Sequence, residues 1–496
     1  MPRAFIFPRP RPRGLLGRRF EGDEQIVLAA GVGTSLLALG VIPNVLLKLG
    51  VFTCVLGLSA GAVLFPYKGR TYLRWWEIRQ SYRQLLRNGA LLYRSRAPLA
   101  GRTLAGRPVP VETPVGVPAL MEWFRARTGY GDVAVLLQPS EGMFTAVIEV
   151  EGQKNFGGLD TADQESLISA WEMLLRQTAD AGGRISRLQW IARIVPVDPN
   201  AHARDAQERR DPQAAGWLHD SYEQLFQRVA ISAEDRRLFL VVGIRYSQEL
   251  AAEALKYNSL FEGYGVVLGK EIESFIRNLG TAQLRWIRSL DEASLASLIH
   301  HCYAPDHWLD DARGMNRSTC WPAEMDARDQ TVMVSRGWET SRPWSHATAW
   351  IKQFPVLPVG INFMAPVLLY VPDVICTVSV TMDLIPSARA MQDAIADATN
   401  ELGQADTKAG KLTDPRERRE QRAATSTMEE IASGAAGVRL TGWITVSATD
   451  RESLDQCKGT IRAAATKSQL AVEWCDLEQH RAFANTLPLA CGLLGS

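Results

Sequence analysis

Two uncharged apolar runs of 17 residues each, Ile26–Ile42 and Leu49–Phe65, stand side by side near the start of this chain. A helix needs roughly 17–25 such residues to cross a bilayer, so each run sits at the short end of that window. Only Pro43–Lys48 connects them, and it carries one charge, Lys48. The pair is expected to form a helical hairpin that crosses a membrane twice. A signal peptide is the rival for the first run. Against it, Glu21, Asp23 and Glu24 precede the run, and a second apolar run follows at once with no small-residue cleavage site before it. A hairpin buried in a soluble core is the other rival.

The flanks give the orientation. Residues 1–20 hold six Arg and four Pro, which favours an extended basic tail. Lys68, Arg70, Arg74, Arg79, Arg83 and Arg87 follow the second run. Positive charge marks the cytoplasmic side, so both termini are expected inside a plasma (inner) membrane, in a two-pass arrangement. Tyr67, Tyr72, Trp75 and Trp76 fall where an interfacial aromatic belt would lie. Arg79, Arg83 and Arg87 share a helix face, and Ile78, Tyr82, Leu85 and Leu86 form an apolar stripe. With Arg70 and Arg74, those arginines are candidates for anionic lipid contact, at about 1 kcal/mol per basic residue. The alternative is a solvated connector.

Charge is divided by position. The whole chain holds 55 Lys/Arg against 54 Asp/Glu, but residues 1–107 alone carry 17 against 4. A head of +13 is thus joined to a body of −12. The acidic body argues against non-specific nucleic-acid binding, which depends on neutralising phosphates. Seven irregularly spaced Cys and no CxxC point to free thiols in a reducing compartment.

After a Pro/Gly-containing linker, strand-like and helix-like runs alternate. Residues 133–138 and 143–150 flank a Pro-Ser-Glu-Gly turn and predict a hairpin. Thr161-Ala-Asp-Gln164 predicts a capping box. Strands are expected at 185–195, 238–246, 282–289, 347–354, 376–385, 438–447 and 469–474. Helices are expected at 217–229, from 247 to 279, at 387–401, from Asp414-Pro415 to about 433, and at 451–467. The expected fold class is α+β: a transmembrane hairpin, then a cytosolic body of two α+β lobes. The corresponding segments are a tail at 1–25, the hairpin at 26–65, a juxtamembrane helix and linker at 66–118, lobes at 119–302 and 331–496, and an irregular connection at 303–330.

Few motifs point to chemistry. Gly57-Leu-Ser59-Ala-Gly61 matches a nucleophile elbow, which needs a strand-to-helix turn, but it lies inside an apolar run. The same residues satisfy G-x-x-x-G, so Gly57 and Gly61 are candidates for close helix packing. Gly265-Val-Val-Leu-Gly269-Lys270 is one residue short of a phosphate loop, and Glu271 replaces the Ser/Thr that would hold magnesium. Gly410-Lys411-Leu412 fails likewise, and Gly263-Tyr-Gly265 misses the dinucleotide spacing. His300-His301-Cys302 with His307 looks like a metal cluster, but adjacent helical residues point apart and no second ligand pair has zinc spacing. The mixed charges of Lys408–Arg422 read as a self-paired helix face. No catalytic residue, cofactor or metal is expected.

A two-span head, a Leu92-Tyr93-Arg94-Ser95 segment and an α+β body together resemble the non-ATPase membrane proteins of actinobacterial conjugation-type secretion clusters. The second half is similar to the N-terminal region of VirB-type traffic ATPases of type IV secretion. That similarity is carried by the strand with Trp350, the strand at 376–385, the charged helix near 415–433, Ala482-Phe483 and Leu487-Pro488. The resemblance implies a membrane-anchored structural component, not an enzyme, that docks a traffic ATPase or other subunits. It implies lipid and secretion subunits as partners and no direct nucleic acid, and leaves a homo-oligomer open. The two-span component of type VII secretion is the alternative, and a membrane-bound enzyme the third.

Overall fold

The computed structural model describes residues 22–41, 45–64, 66–67, 70–97, 103–104, 107–108, 112–152, 156–180, 184–196, 215–230, 234–335, 343–355, 357–392, 395 and 437–492. The expectations for the basic tail, Lys68, Gly410-Lys411, Lys408–Arg422 and the helix from Asp414 lie outside them. The chain divides into two compact units, one within Pro8–Ala90 and one from Leu91 onward.

In the first unit, α1 (Gly22–Val41) and α2 (Val45–Leu64) form a helical hairpin. The expectation of a transmembrane hairpin is corrected: among the described residues, no helix is long and apolar enough to cross a membrane. Polar residues interrupt both helices. The first turn of α1 contains Asp23, Glu24 and Gln25, and α2 carries Lys48 in its first turn and interleaves Gly, Thr and Ser with its apolar residues. After a two-residue strand pair (Pro66–Tyr67 with Arg70–Thr71), α3 runs over Tyr72–Arg87. Thr71 caps it by accepting from Arg74 N, and Gly89, at φ +66, lies just beyond its end.

The second unit is built on one 13-stranded sheet, antiparallel throughout. Its strands are β1 (Leu92–Arg94), β2 (Glu122–Thr128), β3 (Gly131–Gln138), β4 (Met143–Glu151), β5 (Ile185–Pro196), β6 (Glu234–Arg245) and β7 (Arg285–Ser289). They continue with β8 (Glu324–Asp326), β9 (Val332–Ser335), β10 (Trp344–Gln353), β11 (Ile375–Ile385), β12 (Gly437–Ala448) and β13 (Ala471–Trp474). The main path is β1-β8-β9-β10-β12-β11-β5-β6-β4-β3-β2; β7 pairs with β4 and β13 with β10.

That path is an internal duplication. β4, β5, β6 and β7 lie in the order β7-β4-β6-β5, and β10, β11, β12 and β13 lie in the order β13-β10-β12-β11. Each is a split β-α-β arrangement. In each, a preceding hairpin (β2-β3 or β8-β9) shares an edge of the first strand with the last strand. The two sets join where β5 pairs antiparallel with β11, from Arg187↔Asp383 to Ile194↔Cys376. The expected two α+β lobes are therefore corrected to two repeats fused edge to edge in one sheet. The linker also contributes, because β1 is a strand of that sheet.

Helices of both repeats cover the same face. In the first, α4 (Thr161–Asp180) and α7 (Leu260–Leu279) pack on Phe144, Ile148, Leu188, Leu240 and Val242. In the second, α9 (Ala365–Leu368) and α10 (Arg451–Lys467) pack on Ala192, Ile194, Val378, Ile444 and Val446. Ala192 and Ile194 are in register parity with Leu188, so the two cores are one layer. The remaining helices are α5 (Gly216–Ala230), α6 (Gln248–Ala254), α8 (Glu292–Tyr303) and α11 (Gln479–Ala484).

The glycines of 263–269 have a packing role. A Cβ on Gly265 would lie 2.7 Å from Arg125 O, and one on Gly269 2.4 Å from Arg127 O. α7 thus seats its small-residue stripe on the carbonyls of the edge strand β2, shielding an edge that would otherwise invite pairing. Gly263 similarly faces Ala254 at the junction with α6. We expect Gly269→Val to destabilise the body by about 1–3 kcal/mol through overpacking. Gly459→Ala, at an exposed α10 position with open space around it, should stabilise it by about 0.5–1 kcal/mol. Urea unfolding of both variants tests the pair; equal effects would contradict the packing assignment.

Candidate functional site

The face of the sheet opposite those helices is polar and buried. Strict alternation places Arg187, Gln189 and Arg193 of β5 on it, opposite Asp383, Thr381 and Thr377 of β11. Ser379, Thr445, Ser447, His346, Thr348, Gln138 and Thr145 join them, each at most 3% exposed. Two segments cover this face. Each follows the last strand of its repeat: α8 after β7, and α11 with residues 485–492 after β13.

The second segment is held largely through its main chain. Gln189 Nε2 donates to Ser379 Oγ (2.8 Å) and to the carbonyls of Asn485 (3.1 Å) and Leu487 (3.0 Å). Its Oε1 accepts Ala490 N at 2.7 Å. Gln138 donates to Leu489 O, Arg187 to Ala490 O, Thr381 to Cys491 O and Trp443 to Gly492 O. Leu487 and Leu489 are fully buried. Ala490 has φ +53, an unusual conformation for a residue with a Cβ. It is held there because its N–H and C=O are both bound. A run of hydroxyls, Thr348–Thr445–Thr486, ends on Phe483 O.

α8 crosses to the other repeat. Its Tyr303 carbonyl accepts from His346 Nε2 at 2.9 Å, and the Tyr303 ring meets Phe483 at 4.9 Å between centroids. Its His301 carbonyl accepts from Arg193 Nη2 at 3.2 Å. His301 Nδ1 is 2.7 Å from His307 O, so Nδ1 carries the proton. Burial, with Arg193 nearby, pushes the His301 imidazole down to about 3. Burial likewise takes His346 to about 3 and His480 to about 4. All three are neutral in the folded protein near pH 7. Burial raises the thiols of Cys302, Cys376 and Cys491, the last two to about 12, so they stay protonated.

At the rim of β4 and β6, Arg237 pairs with Asp310, Asp235 and Glu149, and Arg288 with Glu149 and Asp310. Burial pushes the Asp310 carboxyl up, but the two guanidinium groups outweigh it and hold the group below its usual range. This network fastens the loop after α8 to the sheet.

The sequence-derived candidates are scattered. Trp75 is buried, with the Arg70 guanidinium 5.6 Å from its ring, so it is not an exposed belt residue. Tyr72 and Trp76 are exposed, at 55% and 56%, and Tyr67 falls in a two-residue strand. Arg74, Arg79, Arg83 and Arg87 are exposed on α3, and Arg74 pairs with Glu77. Gly57 and Gly61 have open space beside them; the close helix approach is instead at Gly31, whose Cβ would overlap Ser59. Ser59 Oγ donates to Val55 O within α2, which is a helix interior and not a nucleophile elbow. His300 and His307 meet edge to face at 5.0 Å, and among the described residues no three His, Cys, Asp or Glu side chains gather as metal donors. Of the missed residues, Gln189 and Arg193 had a signal, polar residues sharing the parity of Arg187 in β5 and matched by the alternating Thr377, Ser379, Thr381 and Asp383 of β11; Gln138, at the end of the apolar β3, had none. No family model matches the chain, and no curated protein matches it.

Two outcomes are expected. Gln189→Leu keeps the volume but removes four hydrogen bonds and leaves Ala490 N without its acceptor, so it should cost about 1–3 kcal/mol in urea unfolding. Acid should also weaken the fold through the histidines. The unfolded chain takes up protons below about pH 6.5 that folded His301, His346 and His480 refuse. Stability should therefore fall from about pH 6.5 down to their folded values, by about 1.4 kcal/mol per pH unit per histidine. Urea midpoints at pH 7 and 5 measure this, and His346→Gln should flatten the slope.

Proposed function

We propose that this chain is a structural assembly component of a type IV, conjugation-like secretion apparatus. Its N-terminal unit holds it at an anionic lipid surface, and its body docks a traffic ATPase or other subunits. The observation that carries the proposal is the surface of the N-terminal unit. Ile26, Leu36, Leu37, Leu47, Leu49 and Leu58 are each more than half exposed on α1 and α2. So much apolar surface on one small unit marks a contact with lipid or protein. Beside it in sequence, α3 presents Tyr72 and Trp76 with four exposed arginines. Aromatic rings with basic heads suit the headgroup layer, where no bilayer crossing is needed.

The body supports the assembly part of the proposal. β10 with Trp350, β11, and the α11 segment with Phe483 and Leu487-Pro488 are the parts that resemble traffic ATPases. They belong to the second repeat and its covering arm. On the first repeat, α5 exposes Trp217, Leu218, Tyr222 and Leu225, an apolar stripe fit for a partner.

Two measurements separate the parts of this proposal. The full chain should float with vesicles containing anionic lipid and not with neutral ones. Replacing Arg79, Arg83 and Arg87 with Gln should weaken that binding about 100-fold at about 1 kcal/mol each. Affinity purification from detergent-treated membranes should bring down a traffic ATPase; recovery of the chain alone would count against the assembly role while leaving lipid binding intact.

A further inference from the structure

α5 stands apart from the packing of the body. Residues 216–225 are all exposed except His219, and none of them belongs to either apolar core. Trp217, Leu218, Tyr222 and Leu225 are 49–70% exposed. No other described helix of the second unit leaves four large apolar side chains open.

The four are not scattered around the helix. Leu218, Tyr222 and Leu225 recur at i, i+4 and i+7, which sets them on one stripe, with Trp217 along its border. Asp220 and Glu223 fall on the opposite side and are exposed. A 15-residue helix is marginal in water by itself and normally takes its stability from packing an apolar face. Here that face is open.

The stripe fits a copy of itself. It carries no charge, so a like surface covers it without burying an unpaired ion. Its spacing is symmetric about the middle. In an antiparallel crossing on a two-fold axis, Leu218 meets the partner's Leu225, Leu225 meets the partner's Leu218, and both Tyr222 lie near the axis. Asp220 and Glu223 then stay outside, in water. The size also agrees. At roughly 200 Å² for each large side chain, the open parts of the four amount to about 450 Å² per copy. Two copies thus bury about 900 Å² before the flanking Ser221 and Gln224 are counted, against about 1,000 Å² where specific contacts begin.

We propose that α5 is a self-association helix, through which two copies of this chain pair by their antiparallel stripes. The dimer is reversible, with a dissociation constant of about 1–100 µM. The proposal rests on the stripe named above as open to a partner and not on the secretion role.

The test uses the purified full chain in mild detergent, because α1 and α2 expose apolar residues of their own. Sedimentation from about 1 to about 200 µM should show a monomer–dimer equilibrium. Leu225→Glu puts a carboxylate into the contact twice and should weaken the dimer at least about 100-fold. Thermal unfolding of that variant should be unchanged, since α5 lies outside both cores, and Leu225→Met should still pair. In a Cys54→Ser background, which removes an exposed thiol, Tyr222→Cys should give a disulfide-linked dimer on mild oxidation and Asp220→Cys should not. A monomer throughout that range, a dimer that survives Leu225→Glu, or equal crosslinking of the two cysteine variants would overturn the proposal. If Leu225→Glu does not fold, the cysteine pair decides. A monomeric chain that captures a traffic ATPase and loses it on Leu225→Glu would assign the stripe to that partner and overturn the dimer; a dimer that captures no ATPase would stand while the assembly role falls.

Discussion

The pairing of β5 with β11 is the interaction on which the second unit depends. Either repeat alone would leave one of these strands as an open edge, with Arg187, Gln189 and Arg193, or Thr377, Ser379 and Thr381, facing outward beside it. An unpaired, half-apolar edge is an aggregation hazard. Joining the two edges removes both, and makes the central strands bury both faces. The helix face is settled by Leu188, Ala192, Val378 and their neighbours, which merge the two apolar layers across the seam. The opposite face then has to be covered as well.

Covering it is a hydrogen-bonding problem. Threonine, serine, glutamine and arginine side chains under a lid are destabilising unless each finds a partner. The solution here is an extended segment whose own carbonyls and N–H groups would otherwise be unsatisfied. Gln189 meets three main-chain groups of residues 485–490, and Gln138, Arg187, Thr381 and Trp443 meet the rest. Two sets of groups that would each be unfavourable in isolation satisfy one another. The strained Ala490 is tolerated because both of its polar groups are fixed.

Local structure was legible in the sequence because local chemistry fixes it. The Pro-Ser-Glu-Gly turn gives the β3–β4 hairpin, and α10 spans the expected 451–467. Gln164 was read as half of a capping box, and it donates instead to the Phe156 and Leu159 carbonyls just before α4. The seam was not legible. Alternation in β5 and β11 reads as one wet face, and only a partner segment nearly 300 residues away shows that face to be dry. The glycines at 265 and 269 were ambiguous for a similar reason, since a small residue needed by a facing carbonyl looks like one needed by a phosphate. For the N-terminal unit, the length and apolarity of the two runs point to a bilayer crossing, whereas among the described residues no helix is long and apolar enough for one.

Reciprocal covering also limits where partners can dock. The first repeat lends α8 to His346 and Phe483 of the second, and the second lends residues 485–492 to Gln138 and Gln189 of the first. Neither half can therefore be removed without uncovering polar groups in the other, and the two act as one folding body. A partner that pried at the seam would have to replace all of those bonds at once. Docking is cheaper at surfaces that are already exposed and apolar, such as α5 with Trp217 and Leu225. The duplication makes the body one rigid unit, and its exposed apolar helices are the surfaces left free of the seam.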